Sequence, residues 1–107
     1  MPSADEVKFT EAMLDVYRRA KSEANYEARI FLSMVVERGG LETARYLLHA
    51  PKVSDGYTAL YQRGRLDLTV EMVILDEQWR SLFTHEERRI AINRLRTYGY
   101  AGPLPAA

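Results

Sequence analysis

Residues Leu66 to Leu75 read LDLTVEMVIL, and the conformation of this run decides the fold. Leu66, Leu68 and Val70 alternate with polar neighbours, and Thr69, Val70, Val73 and Ile74 are β-branched, a pattern that suits a strand. A strand needs a partner, however, and no second run of this kind occurs in the chain; a lone strand would leave its backbone N–H and C=O groups unpaired. The run is therefore read as one helix capped by Asp67 or Thr69. Its apolar residues nearly encircle it, which makes it the central, most buried helix.

Working outward, the flanking segments read as helices that cover it. Downstream, Gln78, Trp79, Leu82 and Phe83 form a turn that packs over the central helix. Thr84 with Glu87 matches a capping box and opens a last helix whose Ile90, Ala91, Arg94, Leu95 and Tyr98 share one face. Gly99 closes that helix, and the tail from Ala101 to Ala107, with two prolines, is expected to fray. Upstream, Ser54 or Asp55 caps a short turn carrying Tyr57, Leu60 and Tyr61, which Gly64 ends. Leu41 to Ala50 is a short amphipathic helix stopped by Pro51. Tyr26, Ile30, Phe31, Met34 and Val35 form an inward stripe ending at Gly39 and Gly40, where glycine closes a helix at little steric cost. Ser3 with Glu6 starts the first helix, whose inward stripe is Phe9, Met13, Val16, Tyr17 and Ala20. The stripe lapses at Lys21 to Asn25, where Asn25 can cap a new helix or the chain can simply bend.

The expected architecture is an all-α, single-domain bundle of five to seven short helices. Residues 1–25 form the N-terminal helix, 26–100 the core unit and 101–107 the tail. The 107 residues, 47% apolar with seven Tyr, three Phe and one Trp, suffice for one core. The absence of Cys removes thiol catalysis and Cys-ligated zinc and fits a reducing compartment. No apolar run approaches the roughly 18 residues of a membrane span, and the first twenty residues lack signal-peptide character. A cytoplasmic location follows as the expectation. Net charge is zero, with ten basic and thirteen acidic side chains up to Glu77 and five Arg against two Glu beyond it. That balance gives little long-range attraction to nucleic acid or anionic lipid.

Several residues carry chemistry that must be weighed against a structural role. Asp67 and Glu71, four apart and near Arg63 and Arg65, could act as paired carboxylates. A capping Asp67 and a buried Glu71 paired with Arg or Tyr is the preferred reading. His49 and His85 lack metal-site spacing, no serine sits in a nucleophile elbow, and Gly39–Gly40 is a helix stop rather than a phosphate loop. No catalytic residue, cofactor or metal is assigned. Arg88, Arg89, Arg94 and Arg96 could line a nucleic-acid backbone, although a solvated, ion-paired face is favoured. Tyr57 and Tyr61, with Arg65 nearby, are the candidate interaction residues, because Tyr is enriched at recognition surfaces.

GGLETARYLL, SDGYTALYQRGRLDLTVEMVIL and SLFTHEERRIAINRLRTYGY together resemble a small helical unit that recurs in prokaryotic proteins, alone or attached to larger chains. The likeness spans roughly Tyr26 to Tyr100, with GRLDLTVE and LFTHEER its distinctive parts. It implies a helical conformation for residues 66–75. That family has no settled activity, so no functional residue carries over. The functional expectation is a non-enzymatic module that binds a protein partner or self-associates. The alternative is a nucleic-acid-binding accessory domain.

Overall fold

Thr69 divides the Leu66–Leu75 run in two. The computed structural model describes residues 2–107, and in it Leu66–Leu68 is a 3-10 turn while Val70–Ile74 is α-helical. Between them Thr69 is extended at φ −81°, ψ 159°. Its hydroxyl donates to the Leu66 carbonyl at 2.7 Å and accepts from the Met72 N–H at 3.4 Å, so one side chain closes the turn and caps the helix. The expected single helix is thus two short pieces, and Asp67 caps neither. The central position holds: Leu68, Ile74 and Leu75 are almost fully buried.

Six α-helices and two 3-10 segments are present, with no strand among the described residues. α1 spans Ala4–Ala24, α2 Arg29–Arg38, α3 Gly40–His49, α4 Asp55–Gln62, α5 Val70–Ile74 and α6 His85–Thr97. The second 3-10 segment is Glu77–Leu82. α5 packs on α1, α3 and α6, which form its walls. The Cα radius of gyration is 12.7 Å, close to the roughly 13 Å expected of a packed domain this long, so the short pieces close around one core.

Local chemistry fixes the ends. The Ser3 and Ser54 hydroxyls accept from the N–H groups of Glu6 and Tyr57. Thr84 and Glu87 make both halves of the capping box at 3.0 Å each. Asn25 takes the left-handed conformation (φ 51°, ψ 40°) and Tyr26 N–H returns to the Ala20 carbonyl at 3.0 Å. α1 thus runs on through residues 21–24, and the chain turns only after them, with Asn25 closing α1 instead of starting a helix. α2 begins at Arg29 with no side-chain cap. That later start sets its register: Val35 faces inward, while Ile30 is 79% exposed, contrary to its place in the expected inward stripe.

The helices meet through specific contacts. At the start of α3 the Gly40 N–H donates to Thr10 Oγ1 at 2.9 Å, and a Cβ on Gly40 would lie 2.6 Å from the Thr10 Cα. Only glycine lets α3 approach α1 this closely. Deeper in, Phe9 receives Trp79 and Phe83 edge-on at 5.5 and 5.3 Å, a preferred aromatic geometry. The C-terminal tail, expected to fray, lies back on the bundle: Leu104 packs against the core and main-chain oxygens of Ala106 and Ala107 accept from Arg80 and Arg88.

Candidate functional site

The turn at Asn25 and the late start of α2 leave a gap beside α1. The gap is an apolar groove of about 390 Å³. Val16 and Ala20 of α1 form one wall, Phe31 and Met34 of α2 another, and Tyr57 and Leu60 of α4 the third. Leu68, Val70 and Glu71 supply the floor, so both pieces of the divided run contribute. Ile30 stands at its mouth. The volume lies within the range of sites that take a small ligand or a few partner side chains.

The floor carries one charged pair. Glu71 is 5% exposed, and its Oε2 accepts from Arg94 Nη1 at 3.2 Å. Arg94 also donates to the Leu47 carbonyl at 3.0 Å and the Ala50 carbonyl at 2.6 Å, tying α3 to α6 behind the groove. Burial pushes the Glu71 carboxyl above its ordinary range, and hydrogen bonds from the backbone and Arg94 offset only part of that rise. The Tyr57 hydroxyl is buried without a hydrogen-bond partner. Burial first, and the neighbouring Glu71 charge second, push it upward as well.

The candidate residues do not gather as the sequence suggested. Asp67 and Glu71 are not a pair, because extended Thr69 separates them. Asp67 is exposed and receives the Arg65 guanidinium in a fork at 3.0 and 3.0 Å, whereas Glu71 is buried on Arg94. Arg65 also reaches Glu23 at 2.7 Å. Arg19 and Arg65 together hold the Glu23 carboxyl down at about 2, so Arg65 is bound to its own chain. Tyr57 and Tyr61 are likewise divided. Tyr57 is a core residue whose ring meets Tyr98 edge-on at 5.1 Å, while Tyr61 is half exposed and meets the same ring edge-on at 5.3 Å. Of the two, Tyr57 alone reaches the groove.

The four arginines of the last helix do not form a row either. Arg88 is fully buried, Arg94 is occupied by Glu71, and Arg96 donates to the carbonyls of Tyr100 and Gly102. Only Arg89 is exposed with no hydrogen-bond partner among the described residues. Glu87 does more than cap α6. His49 Nε2 lies 2.8 Å and Arg45 Nε 3.3 Å from its Oε2, joining α3 to α6. Burial works to raise this carboxyl, but the Thr84 N–H, His49 and Arg45 together outweigh it and hold it below the usual range. Among the described residues no three His, Asp or Glu side chains come together as a metal site.

Sequence reasoning missed Ile30, Phe31 and Met34 as groove residues and Arg88 as a buried one. No local signal marked the first three, because an inward apolar stripe about 100° wide can hold adjacent Ile30 and Phe31 together. Compared with known families, with characterised proteins and with solved structures, the chain matches none. The resemblance to a small prokaryotic helical unit therefore rests on the quoted segments alone.

Proposed function

We propose that this chain is a non-enzymatic, cytoplasmic interaction module that grips a protein partner, or a second copy of itself, by apolar side chains seated in the groove. The observation that carries this reading is the open apolar groove with a bulky aliphatic residue, Ile30, almost fully exposed at its mouth. Exposed apolar surface around a concavity is what an interface presents before its partner arrives. That no helix of the described residues is long and apolar enough to cross a membrane is compatible with it. The nucleic-acid alternative loses support, because three of its four arginines are engaged with the protein's own carbonyls and carboxylates.

The test compares two exposed aliphatic residues on the same helix, Ile30 (79%) and Val36 (73%), of which only Ile30 lines the groove. Ile30→Asp should abolish crosslinking to the partner, or shift the mass in solution from dimer to monomer, while Val36→Asp leaves both unchanged. Loss with Val36→Asp alone would refute the groove as the binding surface.

A further inference from the structure

The groove and the side chain at its mouth have matching chemistry. Ile30, in the first turn of α2, holds an aliphatic side chain in solvent, and the walls beside it, Phe31 and Met34 on α2 and Leu60 on α4, enclose an apolar hollow. The hollow, about 390 Å³, is larger than an isoleucine side chain. Ile30 stands out of its own groove, so this residue can fill such a groove only from another molecule.

The charges around the groove are of both signs and stand on different walls. Arg29, next to Ile30, has a side chain 81% exposed; its Nε and Nη2 hold Glu27 at 3.3 and 3.5 Å, and its Nη1 has no partner among the described residues. A guanidinium carries five N–H donors, so Arg29 can take a second carboxylate. Asp55, in the first turn of α4, lines the groove, is exposed, and has a carboxylate with no hydrogen-bond or ion-pair partner among the described residues. Glu71, by contrast, is already paired with Arg94. One face therefore carries an aliphatic knob beside a cation and an apolar hollow beside an anion.

We propose that the occupant of the groove is a second copy of this chain, docked through a two-fold axis so that Ile30 of each copy enters the other's groove and Arg29 of each meets the other's Asp55. A closed two-fold interface uses one patch on both copies, so that patch must hold both halves of every contact. This face meets the requirement for shape and for charge. The inference rests on the groove being an interface and names what fills it. Both copies spend the same face on each other, so assembly stops at two.

Sedimentation equilibrium of the full chain at low salt measures the association constant, and every substitution acts twice in a two-fold pair. Ile30→Ala should weaken association about a hundredfold, since both knobs lose buried apolar surface. Arg29→Asp and Asp55→Arg each bring like charges together at two places and should weaken it about tenfold or more. The chain carrying both changes exchanges the signs and should associate within about threefold of wild type. An equimolar mixture of the two single variants should likewise recover, because each can then pair with the other. Circular dichroism melts separate weak association from a lost fold, and Arg29→Glu with Asp55→Lys repeats the exchange if either variant fails to fold. A chain that stays monomeric up to about 1 mM overturns the second copy and leaves the groove to a different protein. A dimer that Ile30→Ala does not weaken overturns this inference and the groove as an interface together. A dimer that needs Ile30 but is not recovered by the double variant or the mixture overturns the two-fold arrangement.

Discussion

Ile74 and Ile30 are the same residue in opposite surroundings, and replacing each with alanine isolates what the core contributes. Ile74 is 0% exposed at the end of α5, with walls from α1, α3 and α6; Ile30 is 79% exposed on α2. Truncating a buried isoleucine forfeits its transfer free energy and leaves a cavity, together about 2–5 kcal/mol. The helices around Ile74 are pinned by caps and ion pairs, which limits collapse into the cavity, so about 4 kcal/mol is expected. For a chain of this size each kcal/mol moves the melting temperature by about 4 °C or more, giving a fall of at least about 15 °C. Ile30→Ala removes atoms that are already hydrated and should stay within about 0.5 kcal/mol of wild type. Urea unfolding followed by the fluorescence of Trp79, which is buried against Phe9, measures both. The slope with urea should not change, since the unfolding transition exposes nearly the same surface in each variant. Equal losses from the two substitutions would refute the assignment of α5 to the centre and of Ile30 to the surface.

Gly40→Ala should cost about 1–3 kcal/mol, because the new Cβ meets the Thr10 backbone; unchanged stability in urea would show that α1 and α3 separate easily. Arg94→Met leaves Glu71 buried without its counter-charge and should cost about 3–5 kcal/mol, whereas pairing it with Glu71→Leu should recover much of that loss. A double-mutant cycle with no coupling between the two sites would contradict the pairing seen here. Glu71 also predicts a pH trend. Its folded carboxyl lies above the unfolded value of about 4.3, so its favourable contribution is full below that pH and is lost as pH rises through the folded value. Glu71→Gln should therefore gain stability relative to wild type as pH is raised from about 4 towards 7. A difference in urea midpoint that stays constant or shrinks over that window would contradict the assignment.

How much was legible in the sequence can be traced residue by residue. Caps were readable because Ser3, Ser54 and Thr84 act within one turn of themselves, and the stripe Phe9, Met13, Val16 and Ala20 was readable because one long helix repeats its period often enough. The absence of a partner for LDLTVEMVIL excluded a strand, yet nothing local showed whether Thr69 would sit inside a helix or cap a new one, since its hydroxyl suits both. That single ambiguity carried Asp67 and Glu71 into one candidate pair and hid their separation. The groove was not legible, because it depends on the register of α2, which follows from the left-handed turn at Asn25. The burial of Arg88 depends on the tail folding back over it, and a segment of Pro, Gly and Ala carries no periodicity that would announce such a contact.

The seam between Thr10 and Gly40 joins residues thirty apart in the chain, and α1, α2 and α3 pack on one another within that span. Closing so short an interval forfeits little chain entropy. The N-terminal half is therefore expected to assemble early and to serve as the template on which the Leu66–Leu75 run later settles. A destabilised seam would slow refolding, whereas defects in the later pieces would mainly quicken unfolding.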